Sequence, residues 1–204
     1  MSAKKIIGLI LAGGRSTRMG GRDKAWVTLA GKPLLAHVVT RLTAQVDLLV
    51  INTNAAPESF AQFGLPLLPD RFPGYVGPLA GIHAGLLAHP DSLLVAVAVD
   101  LPGLPGDLVA RLQTGLGHHL CAYAWDGRQH ALAILFRPGS AAAVQQYLDR
   151  GARNVKDFLA EHGAAVLFDR PQDHGLYRNL NTPEELACAD RELTDPRTSI
   201  IGHG

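Results

Sequence analysis

Cysteine is scarce: Cys121 and Cys188 are the only two in 204 residues. Neither has a CxxC partner, so a disulfide framework and a cysteine zinc site are both excluded. Two buried thiols in a reducing compartment are expected instead. An excess of charge of either sign is lacking too. There are 19 Lys and Arg against 18 Asp and Glu, a formal net charge of +1. No basic run is interleaved with aromatics, which argues against a nucleic-acid partner. No apolar run reaches the roughly 18 residues a membrane span needs. Lys4 and Lys5 before Ile6 imitate the start of a signal peptide. The apolar run then ends at Gly13 and Gly14 and meets Arg15 and Arg18, where a small-residue cleavage site would stand. A cytoplasmic chain with no membrane partner is the expectation. Internal repeats, low-complexity tracts and interdomain linkers are absent as well. Residues 1–193 are expected to form a single domain and residues 194–204 a frayed polar tail.

What is present is a globular composition, 47% hydrophobic against 18% charged. Residues 5–12 are nearly all apolar and rich in isoleucine, as in a strand buried on both faces. Leu34, Val38, Leu42 and Val46 then recur on one helical face, with Pro33 suited to the first turn. Strands follow at 47–53 and 65–68, a helix at 77–89, and the most apolar strand at 92–99. Residues 107–116 read as a helix. Residues 119–125 and 130–137 read as a hairpin turned by Asp126-Gly127. Helices at 140–149 and 155–162, a strand at 164–168 and a helix from Thr182 to Leu193 complete the pattern. Alternating strands and helices imply a Rossmann-like three-layer α/β/α sandwich. Its sheet should be mainly parallel, with an antiparallel departure at the hairpin.

In such folds ligands bind beyond the carboxyl ends of the strands. The loop from Leu11 to Lys24 falls there. Its four glycines let backbone N–H groups approach an anion, and Arg15, Arg18, Arg22 and Lys24 add positive charge. It is neither a Walker loop, since Gly20 is followed by Gly21-Arg22-Asp23, nor a GxGxxG loop. Asp100 ends the most apolar strand. It reads either as a Mg²⁺ ligand for a triphosphate or as a turn residue before Leu101-Pro102-Gly103. Asp70 has the same two readings, with the turn favoured. His118 and His119 stand at the start of a predicted strand, where adjacent side chains point to opposite faces, so they read as one surface and one core residue and not as a metal site.

The run Leu11-Ala12-Gly13-Gly14, Arg18-Met19-Gly20, Asp23-Lys24 and Gly31-Lys32-Pro33-Leu34 resembles the signature of nucleotidyltransferases with the nucleotide-diphospho-sugar-transferase-like fold. Gly77-Pro78-Leu79-Ala80-Gly81, Asp100-Leu101-Pro102 and the run from Asn179 to Leu186 are similar to the molybdenum cofactor guanylyltransferases. The resemblance covers residues 6–193. It implies transfer of GMP from Mg-GTP to the terminal phosphate of molybdopterin, or its molybdenum form, with release of pyrophosphate. By the same resemblance Leu11, Ala12, Gly13, Lys24, Asn52, Asp70 and Asp100 face the nucleotide, and Asp100 binds Mg²⁺. Lys24 and Arg18 would stabilise phosphate charge. Asn52 also reads as a turn residue in Asn52-Thr53-Asn54. Asn179 and Asn181 either line the pterin side or shape the loop before a helix. Arg128 and His130 at the hairpin are equally open, and Ala131 stands where the family often has proline. Transient contact with the proteins that deliver and receive the cofactor is implied. Because the loop reads phosphates and not bases, a cytidylyltransferase or a sugar-phosphate nucleotidyltransferase is an alternative. A non-catalytic nucleotide-binding cofactor carrier is an alternative of another class.

Overall fold

The computed structural model describes residues 4–13, 23–72, 77–127, 129–170, 173 and 183–194. Arg15, Arg18 and Arg22 of the loop, Arg128, Asn179, Asn181, Thr182 and the tail from 195 lie outside the described residues, as does the side chain of His130.

Among the described residues the main sheet has seven strands. These are β1 (Ile6–Leu11), β4 (Leu48–Asn52), β5 (Leu67–Leu68), β6 (Leu93–Ala98), β7 (Cys121–Trp125), β8 (Gln129–Phe136) and β9 (Gly163–Leu167). Their order is β5-β4-β1-β6-β8-β7-β9. β1 pairs in parallel with β4 and with β6, so the chain winds outward from β1 on one side and returns on the other. β8 alone runs against its neighbours, β6 and β7. The expected hairpin is therefore present, but its second strand lies between β6 and its own first strand.

Strand residues alternate between two apolar layers, as the pleat requires. On one face Ile10, Val95, Val97, Ala122 and Leu135 pack with Leu35, Val38 and Leu42 of α1 (Leu34–Thr43) and with Leu108, Val109 and Leu112 of α3 (Leu108–Gly115). On the other, Leu9, Leu94, Ala96, Ile134 and Phe136 pack with α2 (Pro78–Ala88), α4 (Ala141–Asp149) and α5 (Val155–His162). Each buried leucine of these layers contributes about 1.5–3 kcal/mol from burial.

A small hairpin of β2 (Thr28–Leu29) and β3 (Lys32–Pro33) departs from the sequence reading. Pro33 sits in β3 as the extended residue before α1, not inside its first turn. α6 (Pro183–Thr194) covers this hairpin: Leu186 and Ala189 pack on Leu29 and Leu34, and Asp190 Oδ1 accepts the Ala30 N–H at 2.6 Å. Two further expectations are corrected. His118 and His119 are both exposed, because the chain turns there before β7 begins. Cys121 is buried, and burial pushes its thiol up to about 12, but Cys188 on α6 is only half-buried. No helix among the described residues is long and apolar enough to cross a membrane.

Candidate functional site

Register builds the site. Leu68, Asn52, Leu11 and Ala98 are level across β5, β4, β1 and β6. They mark the carboxyl edge of the sheet at the point where its winding reverses, which is where doubly wound folds bind ligands. Two residues further along each chain stand Asp70, Asn54, Gly13 and Asp100. A cleft of about 210 Å³ opens there, lined by Leu11, Ala12, Gly13, Asp23, Lys24, Asn52, Asp70, Gly77, Pro78, Asp100 and Leu132, among others.

Lys24 is delivered by a single 3-10 turn (Lys24–Trp26). Asp23 caps it, its Oδ1 accepting the Ala25 N–H at 3.0 Å. The fully buried Ala25 and the packing of Trp26 against Phe60 and Phe63 hold the turn against the sheet. The Lys24 Nζ donates to Asp100 Oδ2 at 2.8 Å. Asp100 is placed by the end of β6 and by Leu101 and Leu104, both buried. Its other oxygen, Oδ1, is buried and meets no hydrogen-bond donor among the described residues.

Across the cleft, Asn52 and Asp70 are joined. Asn52 Nδ2 donates to Leu68 O at 3.0 Å and to Asp70 Oδ1 at 2.9 Å. Both partners are acceptors, so chemistry settles which end of the carboxamide is nitrogen. Asp70 is thus gripped from β4; the turn it was read to open runs on through Pro73-Gly74, outside the described residues. The Asn52 side chain fits because residue 81 is glycine: a Cβ there would fall onto Asn52 Oδ1. Gly77, with φ of +86°, turns the chain into Pro78 and the start of α2 at the cleft wall. The N-terminal end of a helix favours anions.

The opposite wall comes from the antiparallel strand. β8 runs into the sheet from the carboxyl edge, with Ala133 level with Val97. Its pairing with β7 shifts between Tyr123 and Trp125, and in this irregular stretch Leu132 reaches the cleft. Such bulges re-aim side chains beside binding sites. His130 lies in the same stretch of β8.

The structure thus brings together Leu11, Ala12, Gly13, Lys24, Asn52, Asp70 and Asp100 from the sequence reading. Sequence reasoning missed three contributors: the cap at Asp23, the partner Asn54 and the space at Gly81. Asp before Lys-Ala-Trp is a cap signal in itself. Nothing local in the sequence marks the other two as partners of residues on distant strands.

A cleft edged by a lysine and an acid, at the switch point of a mainly parallel sheet, is the architecture of a nucleotidyltransferase. Residues 8–167 match the family described as the MobA-like NTP transferase domain. The chain is 43% identical over 182 residues to the molybdenum cofactor guanylyltransferase of Yersinia pestis (strain Pestoides F), covering 88% of this chain and 92% of that one. The chain belongs to the MobA-like NTP transferase family. Solved structures share the fold. Molybdopterin-guanine dinucleotide biosynthesis protein A from Archaeoglobus fulgidus superposes with a TM-score of 0.74 at 22% identity, over 92% of this chain and 98% of that one. The 4-diphosphocytidyl-2C-methyl-D-erythritol synthase from Anaerococcus prevotii gives 0.72 at 12% identity, over 93% and 96%.

Proposed function

We propose that the protein transfers GMP from Mg-GTP to the terminal phosphate of molybdopterin, bare or molybdenum-bound, and releases pyrophosphate. The carrying observation is the Lys24–Asp100 pair at 2.8 Å, with Asp100 Oδ1 left without a partner among the described residues. A module that only held a nucleotide would use the lysine and have no need of the acid.

The residues fit Mg²⁺. A hard carboxylate lining the cleft suits it, because Mg²⁺ takes one or two carboxylates and fills its shell with phosphate oxygens and water. No group of three or more His, Cys, Asp or Glu converges among the described residues. A single acid therefore fits a metal that arrives on the triphosphate better than a caged one. When bound, Mg²⁺ would neutralise charge building on the phosphate oxygens. Asp100 would hold it.

The protein's own share is positioning and charge. Lys24 is a point charge within the cleft that would turn from Asp100 to the phosphates. The backbone at Leu11, Ala12 and Gly13, with Arg18, would cradle the same groups. Asn52 and Asp70 would hold the nucleoside end. Asn179 and Asn181 are assigned to the acceptor side. The acceptor phosphate is itself the nucleophile, so no activated serine or cysteine is required, and in-line alignment of the two phosphates does most of the remaining work. Family relatives of this name support guanine and molybdopterin as the substrates, and the cytoplasm is the setting we assign.

The test is pyrophosphate release with molybdopterin and each of GTP, CTP, ATP and UTP. GTP should be preferred; a CTP preference would move the protein to cytidylyl transfer. Asp100→Asn should keep the fold and lower turnover by roughly 10²-fold, and Lys24→Ala should weaken triphosphate binding. Wild-type turnover in the Asp100 variant would overturn the metal role.

A further inference from the structure

We propose that Asn54 is a positioning residue for the nucleotide site: it pins the Asp70 carboxylate and, through it, fixes the orientation of Asn52. The inference rests on the reading of Asn52 and Asp70 as nucleotide contacts.

Asn54 sits level with Asp70, two residues past the carboxyl edge of β4, and is exposed. It does not line the cleft. It meets Asp70 at two points. Its Nδ2 donates to Asp70 Oδ2 at 2.8 Å, and its Oδ1 accepts the Asp70 N–H at 2.9 Å. Asn52 holds the other carboxylate oxygen at 2.9 Å. Each oxygen of Asp70 thus has its own amide donor, one from Asn52 and one from Asn54. With Asn52 alone the carboxylate could swing about its Cβ–Cγ bond; the second donor removes that freedom. Hydrogen bonds to an ionised carboxylate are the strong kind.

The consequence passes to Asn52. Its Nδ2 is fully spent on Leu68 O and Asp70 Oδ1. What remains is Oδ1, lying between Gly13 and Gly81. The side chains on this wall of the cleft therefore present acceptors: the Asn52 carbonyl and the remaining lone pairs of Asp70. Such a wall selects groups that donate, which on a nucleoside are ribose hydroxyls and base N–H groups. If Asp70 swings, Asn52 keeps only Leu68 O of the two acceptors that hold it, and the Asp70 carboxylate leaves its place on the wall. Supporting groups of this kind set the geometry of contact residues without touching the ligand.

The decisive comparison is Asn54→Asp against Asn54→Ala, with Asp70→Asn alongside. An aspartate at 54 keeps the oxygen that accepts the Asp70 N–H but replaces the donor by an anionic oxygen facing the Asp70 carboxylate. If Asn54 merely shaped the loop, Asn54→Asp would be the milder change. If it positions Asp70, Asn54→Asp is the harsher one. Mg-GTP affinity by calorimetry should fall about tenfold in Asn54→Ala and further in Asn54→Asp. KM for GTP should rise in step, with kcat within about twofold of wild type. Wild-type affinity in Asn54→Asp, with weakened binding in Asp70→Asn, would overturn the proposal and leave the reaction standing. Unchanged affinity in Asp70→Asn would overturn both the contact and the role of Asn54. Weakened binding in all three variants with no pyrophosphate release by wild type would support positioning and sink the guanylyl-transfer reading. A fall in unfolding midpoint and kcat as large as the loss of affinity would make Asn54 a folding residue and overturn the proposal.

Discussion

Gly81 occupies the fourth position of α2, inside the helix, where alanine would be favoured by about 1 kcal/mol. The sheet explains the exception. A Cβ at residue 81 would coincide with Asn52 Oδ1 and crowd its Cγ. The obstacle is the end of one side chain, not backbone, so it can yield without unfolding the helix. Yielding costs Asn52 its bonds to Leu68 O and Asp70 Oδ1. Gly81→Ala should therefore separate two properties. The helix gains what the cleft loses, so the unfolding midpoint should stay within a few degrees of wild type. GTP affinity should drop about tenfold, the worth of one good polar contact. Calorimetric titration beside a thermal melt reads both. A variant with unchanged affinity would mean that Asn52 does not need its present position to bind nucleotide.

Among the elements, the single 3-10 turn that carries Lys24 is the most exposed to perturbation. It has three residues, one capping bond from Asp23, and its anchorage through Ala25 and Trp26. Removing a capping side chain typically costs about 1 kcal/mol. In so short a turn that cost falls on the placement of Lys24. Asp23→Ala should raise KM for GTP several-fold, while Asp23→Asn, which keeps the accepting oxygen, should stay close to wild type. Equal KM values for the two variants would remove the cap from the account. The same scale shows where sequence reading succeeds. Helices α1 to α5 and strands β1, β4 and β6 to β9 carry periodicity over five or more residues, and each was legible. β2, β3 and the 3-10 helix Pro57–Phe63 were not, because they have neither a period nor an apolar run to detect; the equally short β5 was read from the apolar run at 65–68. His118 and His119 were misassigned because a predicted strand was begun two residues too early. The cleft was legible where its lining stands at or just beyond strand ends, at Asn52, Asp70 and Asp100. It was illegible where one residue makes room for another on a distant element, as Gly81 does for Asn52.

At the scale of the whole molecule, proton uptake links the packed helical layer to stability. His83 on α2 is 3% exposed, its ring meets the edge of Phe72 at 5.3 Å, and its Nδ1 has no partner among the described residues. Burial lowers its pKa below the ordinary 6.5, and the nearby Arg71 lowers it further, while Asp149 on α4 pulls the other way. The neutral ring is thus the folded form. Below pH 6.5 the unfolded chain takes up this proton before the folded chain does, so stability falls as pH drops from 6.5 toward the lowered folded value. Above 6.5 the group is neutral in both states and contributes no slope. One such group can supply at most about 1.4 kcal/mol per pH unit. His83→Leu deletes the proton and the unpaired nitrogen together. Its urea midpoint should lose part of the wild-type decline between pH 6.5 and 5, with His89, also lowered by burial, accounting for some of what persists. Because α2 and its cap bring Pro78 and Gly77 to the cleft and Gly81 against Asn52, GTP affinity measured along the same series tests whether acid loosens the helix before it unfolds the sheet. A slope identical to wild type would show that His83 takes up its proton equally in the folded and unfolded states, and would remove it from the account.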